Sequence, residues 1–593
     1  MRERIRDTTA GAGRRTAACC LVASAIALGA CMPGMNDSAA MSGDGQKGTA
    51  GEATAGSPAP AWPAGRWPLA EDPALEARID ALMVQMRLED KIGQLVQADI
   101  ASVTPEDMRR YRLGSILAGG NSDPGGRYDA APADWLALAD AFHAAAMDTR
   151  DGGVAIPPLF GIDAVHGNSN VVGATLFPHN IGLGAARNPQ LLRRIGEITA
   201  LETRVAGMDW AFAPTLAVPQ DDRWGRTYEG YAEDPALVAE YATEMVEGLQ
   251  GRVGDADFLG PSRVIASAKH FVGDGGTDNG KDQGDTRTPP EELARVHGAG
   301  YPPSITAGVQ TVMASFNSIH GEKMHGHRTM LTDVLRNRLD FRGFVVGDWN
   351  GHGEVAGCEN TRCPNAVAAG IDMLMAPDTW KGVYETTLAA AREGTLPMAR
   401  VDESVRRILR VKLRMGLFEA PQPSARTHGG DFALLGAPAH RAVARQAVRE
   451  SLVLLKNAGG VLPLHPKATL LVAGDGADDV GRQSGGWTLN WQGTGTVRDD
   501  YPNAQTILEG LREQVQAAGG RVEHAADGRY RKKPDAAIVV FGEEPYAEFQ
   551  GDLQDLRYKR GDERDLALLR RLKADGIPVV AVDFGYTDRP VAE

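Results

Sequence analysis

The stretch FRGFVVGDWNG, residues 341–351, joins a buried strand directly to side chains that can carry chemistry. After an Arg-Gly pair come the apolar or small residues 344–347, and Asp348 and Trp349 follow at once. In α/β proteins, the loops that leave the C-terminal ends of parallel strands build the site. A carboxylate and a large flat ring at this position therefore indicate a functional edge of a sheet.

The same arrangement recurs along the chain on both sides of this stretch. Between residues 67 and 419, seven short apolar runs alternate with amphipathic helical segments, a pattern typical of parallel βαβ units. This predicts an α/β fold with a (β/α)8-type barrel over residues 66–420, and an open doubly wound sheet is the alternative. Polar residues follow or end most of the runs: Asp163, His166, Lys269, His270, Asn317, Asp348 and Asp372. One such residue alone is usually a loop or capping residue, but their shared position predicts a site at the barrel mouth.

A second region follows a linker at residues 421–437. Residues 438–593 contain a helix, three buried apolar runs and two further helical stretches, which predict a smaller α/β sandwich domain. Its segment AGDGADDVG lacks the lysine of a phosphate-binding loop. Trp487 and Trp491 stand in a Gly-rich loop, where exposed rings suit the flat faces of sugars; for Trp487, packing at the domain interface is an equal alternative.

The N-terminus predicts export. Residues 1–31 combine an arginine-rich start with a short apolar stretch, as in a signal peptide, and Cys31 after LGA resembles the lipidated cysteine of a bacterial lipoprotein. An ordinary cleaved signal is the alternative. Residues 32–65 are a Gly/Ala/Ser/Pro-rich flexible linker. We therefore expect a periplasmic, outer-membrane-anchored or extracellular protein that meets a membrane only through a lipid anchor.

The net charge and the cysteines restrict the kinds of partner and site that the protein can have. A formal charge of −14 argues against a nucleic-acid partner, which would require a basic surface. Cys358 and Cys363 are close enough to close a small loop disulfide in an oxidising compartment. A metal site would need two more ligands nearby, so the disulfide is the preferred interpretation.

Six motifs in order, spread over both predicted domains, resemble those of a known family. They are GIDAVHGN (161–168), DDRWGRTYEGYAEDP (221–235), AKHFVGDGGTDNGKDQGD (268–285), FRGFVVGDWNG (341–351), GGWTLNWQGTG (485–495) and GEEPYAEFQGD (542–552). From about residue 66 onward, the chain is similar to the bacterial exo-β-glucosidases of glycoside hydrolase family 3, the 1,4-β-D-glucan glucohydrolase type. The resemblance implies a retaining enzyme acting on β-glucans or cello-oligosaccharides, with no metal or cofactor.

The resemblance also implies catalytic roles. Asp348 matches the nucleophile and Glu548 the general acid/base, while Trp349 and Trp491 match an aromatic clamp. Retention requires two carboxyl groups about 5–5.5 Å apart, one ionised and one protonated. We expect a hydrogen-bonded barrel mouth to keep the pKa of Asp348 low, and partial desolvation to raise the pKa of Glu548.

Further matched positions imply sugar binding. Asp163, Arg226, Lys269 and His270 match residues that bind the glucosyl hydroxyls. Met313 either lies under the sugar ring or belongs to the barrel core. Arg223 and Glu229 are expected to support their loop.

Several alternatives stay open. β-Xylosidase action is one alternative, because a pocket for glucose differs from a pocket for xylose only around the hydroxymethyl group. β-N-Acetylhexosaminidase action on the same scaffold is a second alternative. Those relatives carry a motif like KHFPGHG where this chain has KHFVGDGG, so Val272 and Asp274 depart from it. A non-catalytic exported sugar-binding protein is the alternative from another class. The resemblance finally implies a C-terminally shortened second domain, which we expect to be less stable than the barrel.

Overall fold

The computed structural model describes residues 61–559 and 561–585. The predicted signal peptide, the lipidation candidate Cys31 and nearly all of the linker at 32–65 lie outside this part. Within it, none of the helices combines the length and the apolar character that crossing a bilayer requires.

Eight parallel strands form the first sheet, which confirms the barrel. In chain order they are β1 (Val96–Asp99), β2 (Ser115–Ala118), β3 (Leu159–Ile162), β4 (Trp210–Ala211), β5 (Ile265–Phe271), β6 (Thr311–Ala314), β7 (Phe344–Val346) and β8 (Leu374–Met375). From β1 to β7 each strand pairs with its sequence neighbour, and β8 pairs with β1. A bridge between Val346 and Met373 joins β7 to β8, so the strands enclose an interior.

All seven predicted runs contain a barrel strand, and β1 is the strand that the sequence pattern missed. It begins two residues after the helix Leu88–Gln94, with no Gly or Pro between them. Its apolar residues therefore continue the helical pattern without a break.

Helices surround the barrel, and several begin at sharply defined positions. In Asp72–Pro73, Asn188–Pro189 and Asp234–Pro235, the first residue accepts backbone N–H bonds and the proline opens the helix. The α-helices of this region are Pro73–Gln85, Leu88–Gln94, Pro105–Tyr111, Pro132–Met147, Asn180–Ala186, Pro189–Val205, Pro235–Gln250, Pro290–Glu292, Tyr301–Thr306, Pro364–Ala369, Trp380–Glu393, Met398–Arg414 and Pro438–Ser451. Two π-type segments are Leu293–His297 and Thr329–Arg338.

The barrel interior is filled by apolar side chains. Alternate residues of the strands supply them, including Leu159, Trp210, Phe344 and Met313. Met313 is 2% exposed within this cluster, which favours its role in the core. Because the interior is packed, substrate access is confined to the ends of the barrel.

The second domain is a four-stranded parallel sheet. Its strands are β9 (Thr469–Ala473), β10 (Arg521–His524), β11 (Ala536–Gly542) and β12 (Val579–Phe584), in the order β10-β9-β11-β12. Apolar clusters cover both faces of the sheet, and the helices Val480–Ser484, Ile507–Ala517 and Arg564–Ala574 belong to this domain. The edge strand β10 was not predicted because its sequence, RVEH, is short and largely polar. The lower stability expected for this domain stays a prediction.

The helix Pro438–Ser451, assigned from sequence to the second domain, contacts both regions: Arg445 Nη2 donates to Gln505 of the second domain at 2.8 Å, and other side chains reach the barrel. His440 Nδ1 lies 2.7 Å from a Glu202 carboxylate oxygen, and Asn188 Nδ2 donates to Glu450 at 2.8 Å. In the loop after β7, Cys358 and Cys363 form the predicted disulfide.

Candidate active site

Four predicted side chains meet at the C-terminal end of the barrel. Asp163 directly follows β3, Lys269 and His270 lie in β5, and Asp348 comes two residues after β7. Lys269 Nζ donates to Asp163 Oδ1 at 3.0 Å, and His270 Nε2 lies 3.8 Å from Asp348 Oδ2. The structure therefore brings these four side chains together at the barrel mouth.

Two other polar positions have supporting roles. Asp372 precedes β8 and pairs with Arg336 at 2.7 Å and Arg400 at 2.9 Å. Burial opposes ionisation of Asp372, but these guanidinium groups lower its pKa to about 2. Asn317 donates to the carbonyl of Val272 at 3.2 Å. The assignment of Asp372 to the mouth is wrong, because it stands before its strand rather than after it.

Glu548 reaches the barrel mouth from the second domain. It opens a short turn, Glu548–Gly551, with a φ of 55°, a left-handed conformation that costs about 1–2 kcal/mol for a non-glycine residue. Its Oε1 accepts from Arg226 Nη1 at 3.1 Å. Arg226 is itself held by both carboxylate oxygens of Glu229, at 3.0 and 2.9 Å. This pair explains why Glu229 supports the loop, as expected.

Hydrogen bonds run from Glu548 through Arg226 to His270, which faces Asp348. Arg226 Nη1 contacts Glu548, and Arg226 Nη2 donates to His270 Nε2 at 3.1 Å. His270 in turn faces Asp348 at 3.8 Å. The structure thus brings Asp348 and Glu548, which are 200 residues apart in sequence, into one site.

The two carboxyl groups have different pKa values. Burial raises the pKa of Asp348 to about 6, although Arg226 and Lys269 oppose the shift. Burial raises the pKa of Glu548 to about 8, and Arg226 opposes this only in part. Because Glu229 already neutralises Arg226, a protonated Glu548 can keep one oxygen on the guanidinium. The raised pKa of Glu548 was predicted, whereas the low pKa expected for Asp348 is wrong.

His270 is a neutral hydrogen-bonding residue in this site. Burial, together with Arg226 and Lys269, lowers its pKa well below the usual value. Since its Nε2 accepts from Arg226, its Nδ1 carries the proton and donates to Asp274 Oδ2 at 2.9 Å. Burial also raises the pKa of Asp274 to about 7. In the sequence, Asp274 is notable only because it departs from the KHFPGHG motif.

A second histidine orients Asp348. His325 Nε2 accepts the backbone N–H of Asp348 at 2.8 Å, and burial lowers the pKa of this histidine to about 3. The N–H of Trp349 donates to Asp348 Oδ1 at 2.7 Å. His325 lies two residues after the short strand Glu322–Lys323, which is outside the barrel, so no barrel-strand end identified it from sequence. Across the described residues, no group of three or more His, Cys or acidic side chains is arranged to hold a metal ion.

Aromatic rings flank the mouth. Trp349 is 41% exposed, and Trp491 lies in T-shaped contact with the exposed Phe549, with ring centroids 5.6 Å apart. Trp487 is buried and donates from Nε1 to Glu229 Oε1 at 3.1 Å. Trp487 therefore occupies the domain interface, one of its two predicted positions.

Asp552 joins the Glu548 turn to the barrel. Its two carboxylate oxygens accept the backbone N–H groups of Gly225 and Asp282, each at 2.9 Å. The N–H of Leu553 donates to the carbonyl of Arg223 at 2.9 Å. Arg223 also forms its own ion pair with Asp221, which fits the supporting role predicted for it. Docking of the two domains thus fixes the position of Glu548.

Comparison with known proteins agrees with this architecture. Residues 87–411 match the glycosyl hydrolase family 3 N terminal domain, and residues 452–588 match the family 3 C-terminal domain. The lysosomal beta glucosidase of Dictyostelium discoideum is 32% identical over an alignment of 556 positions that covers 86% of this chain and 66% of that protein. The periplasmic beta-glucosidase of Salmonella typhimurium is 31% identical, over 79% of this chain and 58% of the relative.

Solved structures show the same fold. The exo-1,3/1,4-beta-glucanase of a Pseudoalteromonas species is 50% identical, with a TM-score of 0.88 over 89% of this chain and 66% of that one. The beta-glucosidase of Listeria innocua, solved with isofagomine, is 25% identical, with a TM-score of 0.73 over 86% of this chain and 70% of that one. The chain thus spans about two thirds or less of the curated relatives named above. With both domain models matched and the barrel and the second domain in place, the chain belongs to glycosyl hydrolase family 3.

Proposed function

We propose that the chain is a retaining, exo-acting β-glucosidase or glucan glucohydrolase. It would release glucose from the non-reducing ends of β-glucans or cello-oligosaccharides through a glycosyl-enzyme intermediate. The observation that carries this proposal is the pair Asp348 and Glu548, brought into one site beside Arg226 and His270, with pKa values of about 6 and 8. Near neutral pH one group is then mainly ionised and the other mainly protonated, the division that retaining hydrolysis requires.

In the first step, Asp348 attacks the anomeric carbon while Glu548 gives its proton to the departing glycosidic oxygen. The C–O bond to the leaving group breaks as the bond to Asp348 forms. In the second step, Glu548, now ionised, takes a proton from water, and the water oxygen displaces Asp348. Glucose leaves with its β configuration, and both carboxyl groups return to their starting states.

The charged side chains at the mouth would bind the glucosyl hydroxyls. Asp163, Lys269, Arg226 and His270 lie around the two carboxyl groups and offer charged or neutral hydrogen bonds. A hydrogen bond to a charged group is worth roughly 1.5–3 kcal/mol, so these contacts fix the ring in register for attack. Trp349 and Trp491 would contact the sugar on the leaving-group side, where flat apolar faces suit aromatic rings.

The names of the relatives support glucoside hydrolysis. The family members in Dictyostelium and Salmonella are beta-glucosidases, and the Pseudoalteromonas structure is an exo-1,3/1,4-beta-glucanase. A beta-xylosidase of Formosa agariphila is 29% identical over 378 residues, which keeps xylosides as the second candidate substrate. The periplasmic relative also supports our proposal that the chain is exported. Lipidation of Cys31 is a separate proposal that rests on the sequence alone.

The direct test uses the 593-residue chain with the p-nitrophenyl β-glycosides of glucose, xylose and N-acetylglucosamine. We expect the highest kcat/KM for the glucoside. With p-nitrophenyl β-glucoside, whose only sugar product is glucose, proton NMR should detect β-glucose first, before mutarotation. First release of the α anomer would contradict retention, and a preference for the xyloside or the N-acetylglucosaminide would contradict the substrate assignment.

Replacing Asp552 with alanine should impair the enzyme by displacing Glu548. The change removes two backbone contacts that hold the turn, and a displacement of about 1 Å can cost roughly a hundred-fold in rate. We expect kcat/KM for cellobiose to fall about 10–100-fold, with a much smaller fall for an aryl glucoside whose leaving group needs no proton. Asp555→Ala is the control, because Asp555 lies on the same segment and pairs with Arg557 rather than with the Gly225 and Asp282 N–H groups. Equal losses on both substrates would contradict an effect through Glu548.

A further inference from the structure

Two glycines after β2 lie between the aromatic residues of the mouth. Gly119 and Gly120 follow Ala118, the last residue of the strand. Gly119 lies against Trp349 of the barrel, and Gly120 lies against Trp491 of the second domain. This turn is thus in contact with both rings proposed to bind the leaving-group sugar.

Gly119 leaves room for the ring of Trp349. A methyl group at Gly119 would overlap the six-membered part of the indole and lie 2.8 Å from its Cη2 atom. The Gly119 backbone cannot easily retreat, because its N–H donates to Asp99 Oδ2 at 3.0 Å. The other Asp99 oxygen accepts the N–H of Ala101 at 2.7 Å. Asp99 therefore ties the turn to the end of β1, and the exposed Trp349 ring would have to move instead.

Gly120 makes a similar contact with the backbone of Trp491. A methyl group there would lie 2.8 Å from Trp491 Cβ and 2.9 Å from its Cα. The next residue, Asn121, accepts the N–H of Trp491 through its side-chain oxygen at 3.0 Å. Any group larger than hydrogen at Gly120 would push the Trp491 loop away from the barrel.

Neither glycine has a positive φ, so backbone conformation alone does not require glycine at these positions. What both positions require is the absence of a side chain. We infer that the Gly119–Gly120 turn is a spacer that sets the distance between Trp349 and Trp491, and with it the width of the site for a flat leaving-group sugar. The inference rests on the proposed function, because that function assigns the two rings to the leaving-group side.

The test compares Gly119→Ala with the parent chain on two substrates. β-Glucosyl fluoride has a one-atom leaving group that would not reach the rings, whereas in the proposed function the second glucose of cellobiose lies between them. We expect Gly119→Ala to lower kcat/KM for cellobiose about ten-fold or more and to leave kcat/KM for β-glucosyl fluoride unchanged. Gly120→Ala should give the same selectivity, and Gly510→Ala, at an open helical position, is the control.

A double variant separates spacing from general damage. In a Trp349→Ala background the ring that Gly119 must clear is gone, so adding Gly119→Ala should cost nothing further on cellobiose. Additive losses in the double variant would overturn the inference. So would an unchanged cellobiose rate in Gly119→Ala alone, or an equal loss of that variant on β-glucosyl fluoride.

A binding measurement keeps the inference separate from the proposed function. A parent chain that does not hydrolyse β-glucosyl fluoride would overturn the function. The spacer role of the two glycines could still be tested by calorimetric titration of the parent and Gly119→Ala with glucose and cellobiose. If Gly119→Ala binds cellobiose about ten-fold more weakly than the parent and binds glucose equally well, the spacer role is supported. If its affinity for cellobiose is unchanged, the spacer role is overturned.

Discussion

Asp348→Ala is expected to lower kcat/KM for p-nitrophenyl β-glucoside by roughly 10⁴-fold, because the variant has no group to form the covalent intermediate. The loss should be chemical rather than structural. The Asp348 side chain accepts the N–H of Trp349, but the backbone bond from Asp348 to His325 does not depend on the carboxylate. The thermal midpoint and the circular-dichroism spectrum should therefore stay close to those of the parent.

Added azide distinguishes the missing nucleophile from a damaged site. In Asp348→Ala, azide can enter the space left by the carboxylate and attack the anomeric carbon from the same side. The product is then α-glucosyl azide, formed in a single inverting step while Glu548 stays in place. The matched control is Glu354→Ala in the same loop, where Glu354 pairs with Lys323 at 2.6 Å near the surface. Activity above a tenth of the parent rate, or azide rescue that yields the β product, would contradict nucleophilic catalysis by Asp348.

The sequence predicted those parts of the site that follow local patterns. Asp163 directly follows its strand and Asp348 comes two residues after its own, so the apolar pattern was enough to predict their position at the barrel mouth. Asp372 belongs to the same apolar run as β8 but precedes the strand, and a two-residue strand gives no local mark of its start. Glu548 was identified only through the family resemblance, because its turn in the second domain carries no strand-end pattern that points to the barrel.

The remaining parts depend on contacts between distant segments. Asp552 and His325 act by accepting backbone N–H groups from other loops, and a polar residue in a loop gives no sign of such a partner. The pKa of Asp348 depends on how completely the loops bury it, which only the folded chain determines. For the same reason, Gly119 and Gly120 resemble an ordinary turn in sequence, and their contacts with two tryptophans appear only in three dimensions.

Glu548→Gln is expected to affect substrates according to their leaving groups. The glutamine keeps an oxygen that can accept from Arg226, but it cannot give a proton to the departing oxygen. General acid catalysis contributes typically 10²–10⁴-fold, so kcat/KM for cellobiose should fall about a thousand-fold. An aryl glucoside such as 2,4-dinitrophenyl β-glucoside leaves without protonation, and its kcat/KM should fall less than about ten-fold. Glu544→Gln is the control on the same segment, since Glu544 is exposed and pairs with Arg482.

The pH dependence of this variant tests the assignment of both carboxyl groups. In the parent, Asp348 must be ionised, so kcat/KM for cellobiose should fall as the pH drops below its pKa of about 6. Glu548 must be protonated, so kcat/KM should also fall as the pH rises through its pKa of about 8. Because kcat/KM reports the free enzyme, the parent profile is a bell with limbs near these two values. In Glu548→Gln with the dinitrophenyl substrate, the alkaline limb should disappear and the acidic limb should persist. An alkaline limb near pH 8 in that variant would show that the limb belongs to a group other than Glu548, and Asp274, with a pKa of about 7, would be the next residue to replace.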